Sequence, residues 1–164
     1  IQNAQAVEQW PETAYCIVSA AHRFNLPPEA LLAMMLREAG TKGSKILNSS
    51  NGTFDLGPMG INTVWLKDAS PLSRFVSEDS LKNNICTNIH AAGWIFAKHY
   101  DRTKDIWKAI GKYHSPGNPV LAARYMYHVN EKLPRARQLL NYSPVYRHYL
   151  EYFYKRPSEP PPAS

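Results

Sequence analysis

Apolar residues recur at helical spacing along most of this sequence, and one long stretch, residues 41–60, interrupts that pattern. The stretch is rich in Gly, Ser, Asn and Asp, and its Asn51-Gly52 pair favours a tight hairpin turn. We therefore predict a mainly α domain in which a small loop-rich or β-hairpin insert lies between helices.

The same periodicity predicts where the helices lie. The first covers residues 11–25, and the second starts at Pro27 and Pro28 and has Gly40 at the position of a C-terminal cap. Five more are predicted over residues 62–67, 80–100, 104–113, 119–132 and 144–154. We expect one domain over residues 1–154 and a Pro-rich, disordered tail over residues 155–164.

Length and composition limit the classes of function. A chain of 164 residues is long enough for one domain with a real core, and it contains no apolar run of the ~20 residues that cross a bilayer. The net charge of +6 suits an anionic partner. Nucleic acid is not the expected partner, because the basic residues are scattered and form no basic helix or aromatic-basic array.

The cysteines and histidines indicate which disulfide and metal sites the chain could form. Cys16 and Cys86 are compatible either with one disulfide or with two buried thiols. The six histidines show no ligand spacing, so we expect no metal site and no cofactor. The chain begins at Ile1 without a secretory signal pattern, which is typical of a mature form whose signal was removed or not included.

Glu38 is the first candidate for chemistry. It falls in the last turn of the second predicted helix, where the helix dipole and the apolar run "LLAMML" would disfavour its charged form and suit a general acid. The alternative is a solvated glutamate at a helix end. Asp55 supplies a second carboxylate beside the glycine-rich "LGPMG", and paired carboxylates across a cleft cleave glycosidic bonds.

Several segments carry a family resemblance. In order along the chain, "REAG", "NSSNGTFDLGPMGIN", "WL", "NIHAAGWIF" and "AIGKYHSPGNP" resemble the motifs of the lytic transglycosylase (SLT, lysozyme-like) family. The likeness spans residues 16–127 and is greatest to the small members that accompany type IV secretion, conjugation, type IV pilus and type III secretion systems. It implies an α+β lysozyme-like fold in which the insert forms a sugar-binding cleft.

The resemblance also implies roles for individual residues. Glu38 takes the place of the single catalytic acid/base, and Tyr113 that of the tyrosine which hydrogen-bonds it, although ordinary core packing is the alternative for Tyr113. The residues implied to line the sugar-binding groove are Gly57, Met59, Ile61 and Asn62. Cys16 and Cys86 correspond to a disulfide between the first helix and the long central one, which implies an oxidising compartment.

Asp55 and Gly60 bear on which reaction the chain could carry out. Asp55 looks like the second carboxylate of lysozyme, and its alternative role is to cap the turn after Asn51-Gly52. The family commonly shows Gly-Leu-Met-Gln-Ile where this chain has "GPMGI", so Gly60 replaces a glutamine that would contact sugar. His114 stands where many relatives have asparagine.

The resemblance therefore implies a periplasmic, monomeric lytic transglycosylase. Its substrate would be peptidoglycan glycan strands, cut at the β-1,4 bond between N-acetylmuramic acid and N-acetylglucosamine with a 1,6-anhydro product. Further expected partners are components of a secretion, conjugation or pilus apparatus. The alternatives are a lysozyme-type hydrolase that uses Glu38 and Asp55, and a weakly active peptidoglycan-binding module.

Overall fold

A computed structural model describes residues 10–153 of the chain. This part contains seven α-helices and one three-stranded antiparallel sheet of order β1-β2-β3, which confirms the predicted mainly α, α+β fold. The elements are α1 Trp10–Phe24, α2 Pro28–Glu38, β1 Lys45–Asn48, β2 Thr53–Leu56, β3 Ile61–Asn62, α3 Glu78–Asn83, α4 Ile85–Thr103, α5 Ile106–His114, α6 Pro119–Asn141 and α7 Pro144–Phe153. The tail expected over residues 155–164 lies outside the described residues, as do residues 1–9 and 154.

Three predicted helices differ from the structure. Residues 80–100 form two helices because Asn84 is extended and its side chain accepts a hydrogen bond from Thr87 N, capping α4. Residues 62–67 give only a 3-10 turn, Thr63–Leu66. The helix predicted over residues 119–132 continues to Asn141 and includes Pro134.

The end of α2 also differs. The prediction that Gly40 caps this helix was wrong: Ala39 adopts the left-handed conformation, with φ 53°, and its N–H donates to the carbonyl of Met35. Gly40 is required for a different reason, because a Cβ there would overlap the carbonyl oxygen of Gly57. The backbone just after α2 is therefore in direct contact with the turn that follows β2.

The core lies between the helices and the inner side of the sheet. Helix α2 packs mainly against α6, α1 packs against α4, and α5 packs between α4 and α6. Large side chains that are fully buried in this core include Ile17, Leu31, Leu32, Met34, Leu56, Met59, Ile61, Ile89 and Phe96. None of the helices described within residues 10–153 combines the length and apolarity that crossing a bilayer requires.

Asn88 joins the sheet to the central helix. From α4 its side-chain amide donates to the carbonyls of Leu56 and Leu81, at 2.8 and 2.9 Å, and its Oδ1 accepts from Met59 N at 2.8 Å. Asn88 is completely buried, so these bonds satisfy groups that no water reaches. A Cβ at Gly57, where φ is +67°, would overlap this amide. The turn between β2 and β3 is thus fixed against α4.

A disulfide joins Cys16 in α1 to Cys86 in α4, as the family resemblance implies. The two cysteines are 70 residues apart in sequence.

Replacing both cysteines with serine should lower the free energy of unfolding by about 4 kcal/mol, because the unfolded chain regains the entropy of an open loop of this size. Urea denaturation of the oxidised protein and of the double variant measures the difference. Reductant should destabilise the wild-type protein and leave the double variant unchanged; equal effects on both would contradict the prediction.

Candidate active site

Glu38 is the last residue of α2, and its two carboxyl oxygens have different surroundings. Oε1 accepts a hydrogen bond of 2.7 Å from the hydroxyl of Tyr125 on α6. Oε2 lies beside Gly60, in the turn between β2 and β3, where a Cβ would come within 2.7 Å of it. Within residues 10–153 Oε2 has no hydrogen-bond partner and is not among the buried unsatisfied atoms, so the carboxyl group is held on one side and open on the other.

The pKa of Glu38 is raised from 4.5 to about 7. Burial is the main cause, and the negative charge of Asp55 adds to it, whereas the hydrogen bond from Tyr125 and the charge of Arg37 act in the opposite direction. A carboxyl group with this pKa is present in both protonation states near neutral pH. It can therefore donate a proton in one step and accept one in another.

Two tyrosines approach Glu38, and the tyrosine predicted to hydrogen-bond it was the wrong one. The hydroxyl of Tyr113 donates to the carbonyl of Met59 at 2.8 Å, and it is Tyr125 that donates to Glu38. Burial raises the pKa of both phenols well above the usual range, with the charge of Glu38 adding to the effect, so both remain proton donors. Tyr113 instead fixes the turn in which Gly60 lies.

His114 covers the outer face of Tyr125. Their rings are stacked, with centroids 4.6 Å apart and planes 12° from parallel. The Nδ1 atom of His114 lies 2.8 Å from the hydroxyl oxygen of Ser115. Burial lowers the pKa of His114, while the charge of Asp55 raises it and that of Arg37 lowers it. The neutral ring thus restricts the orientation of the tyrosine that holds Glu38.

Asp55 lies on β2 opposite Asn62 on β3. The side-chain amide of Asn62 donates both to Asp55 Oδ1, at 3.0 Å, and to the hydroxyl of Thr53, at 2.8 Å. The turn after Asn51 is closed by Asn51 itself, whose Oδ1 accepts from Thr53 N at 3.0 Å, so the turn-capping role considered for Asp55 is taken by another residue. Asp55 is close enough to Glu38 for its charge to raise the pKa of that group.

The segment expected to line a sugar groove is largely buried. The side chains of Met59 and Ile61 are 0% and 1% exposed and belong to the core, and Gly57 is also buried. Both backbone polar groups of Met59 are already hydrogen-bonded, to Asn88 and Tyr113. Asn62 is partly exposed. Side-chain contact with a ligand is thus open to Asn62, and a contact of Gly57 or Ile61 would use the backbone.

Comparison with known proteins identifies the family. A model described as "Transglycosylase SLT domain" matches residues 15–133. The chain belongs to this family. It is 30% identical over 109 residues to Protein IpgF of Shigella flexneri, which covers 65% of the chain and 68% of that relative. It is 26% identical over 129 residues to Invasion protein IagB of Salmonella typhi, which covers 77% of the chain and 79% of that relative. It is 27% identical over 105 residues to a "Peptidoglycan-binding-like protein" of Escherichia coli O157:H7, which covers 61% of the chain and 63% of that relative.

In this SLT domain, Tyr125 is the site residue that sequence reasoning missed. It lies 87 positions from Glu38, on a helix whose packing against α2 no local pattern indicates. The periodicity of α6 was a usable signal, since Tyr125 repeats with Val129, Leu133, Ala136 and Leu140 on the buried face. Among the residues described, 10–153, no three His, Cys, Asp or Glu side chains are grouped so as to hold a metal ion.

Tyr125→Phe is expected to raise the pKa of Glu38 above about 7, because it removes the hydrogen bond that stabilises the carboxylate and keeps the ring stacked on His114. An NMR titration that follows the side-chain carboxyl carbon of Glu38 measures the change. The matched control is Tyr127→Phe, since Tyr127 is 64% exposed on the same helix, and it should leave the pKa of Glu38 unaltered. An unchanged value in Tyr125→Phe would contradict the assignment of this bond.

Proposed function

We propose that this chain is a peptidoglycan lytic transglycosylase that cleaves the β-1,4 bond between N-acetylmuramic acid and N-acetylglucosamine. The proposal rests on the surroundings and the protonation of the Glu38 carboxyl group. Its pKa of about 7, its hydrogen bond to Tyr125 and the open side next to Gly60 are what a group that both donates and accepts a proton requires. Membership of the SLT family supports the same substrate class.

In the proposed reaction, protonated Glu38 first donates its proton to the glycosidic oxygen as the bond from C1 of the muramyl sugar to that oxygen breaks. The carboxylate so formed then accepts the proton of the muramyl C6 hydroxyl, whose oxygen bonds to C1 and gives the 1,6-anhydro product. The carboxyl group ends protonated, ready for another cycle. Tyr125 limits the movement of Glu38 through both steps by holding Oε1.

Charge and compartment agree with this substrate. A net charge of +6 attracts glycan strands that carry acidic stem peptides. The Cys16–Cys86 disulfide suits an oxidising compartment such as the periplasm, where peptidoglycan lies. One relative is named an invasion protein. We further propose that the protein opens the wall locally for a secretion, conjugation or pilus apparatus, whose components would be its partners.

A second candidate function is lysozyme-type hydrolysis, favoured by the position of Asp55. This carboxylate lies on β2 opposite Asn62, and its charge acts on Glu38. In this alternative Asp55 would stabilise positive charge on the sugar, and water would replace the C6 hydroxyl as the attacking group. The two reactions differ in product and not in the acid that starts them.

Product analysis decides between the candidates. Purified peptidoglycan digested with the protein should yield fragments that end in 1,6-anhydro-muramic acid, which mass spectrometry separates from reducing ends by the mass of one water. Reducing ends would instead support hydrolysis. A protein that sediments with sacculi and releases no fragments would reject both reactions and support the binding-module alternative.

Glu38→Gln should lower the rate of fragment release by at least about 100-fold, since the amide cannot donate the proton and general acid–base catalysis contributes at least that factor. Release of soluble fragments from labelled sacculi measures the rate, and circular dichroism checks the fold. Glu151→Gln is the matched control, because Glu151 is an exposed residue of α7. Full activity in Glu38→Gln would remove Glu38 from the mechanism.

A further inference from the structure

The open side of Glu38 faces a position where this chain has no side chain. A Cβ at Gly60 would lie 2.7 Å from Oε2 and 3.3 Å from the carboxyl carbon of Glu38. Oε1 is occupied by the Tyr125 hydroxyl, and within residues 10–153 Oε2 accepts no hydrogen bond. The glutamine common in the family at this position would place a side chain beside the carboxyl group, so this feature belongs to the present sequence.

Proton transfer requires the substrate to approach Oε2 closely. A group that gives a proton to, or takes one from, a carboxyl oxygen must come within roughly 2.6–3.2 Å of it. A methyl carbon at position 60 would lie 2.7 Å from Oε2, which is too close for a carbon atom, so it would overlap this oxygen and obstruct a substrate oxygen that approaches it. Because the proposed reaction uses one carboxyl group twice and Oε1 is held by Tyr125, the glycosidic oxygen and the C6 hydroxyl must both reach Oε2.

Both the turn that contains Gly60 and the carboxyl group of Glu38 are held in place by hydrogen bonds. The turn is fixed because Met59, next to Gly60, is bonded through its N–H to Asn88 and through its carbonyl to Tyr113. The N–H of Gly60 donates to the carbonyl of Gly57 at 3.1 Å. Glu38 in turn is held by Tyr125. A side chain at position 60 would therefore either cover Oε2 or push the carboxyl group away from Tyr125.

We propose that Gly60 is a positioning residue that keeps the space beside Glu38 Oε2 free for the reacting oxygens of the substrate, so that Oε2 alone transfers protons. This inference rests on the proposed function. It assigns separate roles to the two oxygens of one carboxyl group: Oε1 fixes the group and Oε2 reacts.

Gly60→Ala tests the proposal, and Gly52→Ala is its matched control. Both glycines have positive φ, +58° and +72°, so alanine meets similar backbone strain at each, but a Cβ at Gly52 has nothing within 4 Å. We expect Gly60→Ala to lower kcat for fragment release by at least about 100-fold, with KM changed by less than about threefold. Gly52→Ala should stay near wild type. A kcat of Gly60→Ala equal to that of Gly52→Ala, or a loss confined to KM, would overturn the proposal.

The pKa of Glu38 is a second readout that does not depend on activity. In Gly60→Ala it should rise above the wild-type value of about 7, because the methyl group excludes water from Oε2 or displaces the carboxyl group from Tyr125. In Gly52→Ala it should not change. If the wild-type protein releases no fragments, the proposed function and the catalytic part of this inference fail together. The titration then decides separately whether residue 60 controls access to Oε2.

A double-mutant cycle on stability tests the proposal even if Gly60→Ala folds poorly. Any loss of stability beyond that of Gly52→Ala should disappear when Glu38→Ala is added, because the carboxyl group that the methyl meets has been removed. Thermal unfolding of the single and double variants measures this coupling. A double variant as unstable as the sum of its two single changes would place the strain elsewhere and overturn the proposal.

Discussion

The side-chain amide of Asn88 is the interaction on which the geometry of the site depends. Its three hydrogen bonds join strand β2, the turn before β3 and the end of α3 to the central helix. If the amide were removed, its three backbone partners would be left buried without a hydrogen bond, and each would cost about 1–3 kcal/mol of stability. Gly57 gives the amide its room, and Gly40 lets α2 end against the same turn. Glu38 reaches Gly60 because these close backbone approaches occur together.

The protonation of Glu38 results from opposing effects, of which burial is the largest. The Tyr125 hydrogen bond and Arg37 favour the carboxylate, yet the pKa stays near 7 because burial and Asp55 outweigh them. This arrangement affects stability. Since the folded-state pKa lies above the usual 4.5, the folded protein binds the proton more tightly than the unfolded chain does. The resulting stabilisation is fully present below about pH 4.5 and is lost as the pH rises through about 7.

Local signals were sufficient for much of the fold. Residue periodicity located α1, α2 and α5, and the Asn51-Gly52 pair indicated the hairpin. The position of Glu38 at a helix end left a solvated glutamate as an alternative, and the family resemblance made Glu38 the candidate acid. Features set by contacts between distant segments could not be predicted. Ala39 takes the left-handed position, Gly40 lies against Gly57 instead of capping α2, and α6 continues through Pro134 while it packs along α2. The choice between Tyr113 and Tyr125 likewise depends on how α5 and α6 dock.

The contact between Tyr125 and Glu38 also bears on the order in which the site is completed. The ribosome delivers the acid, its helix and the glycine-containing turn long before it delivers α6, which carries the hydroxyl. A chain in which α6 has not yet docked therefore contains the Glu38 carboxyl group without the hydroxyl that holds its Oε1. The hydrogen bond that lowers the pKa of Glu38 and fixes its Oε1 therefore forms only when α6 has docked against α2.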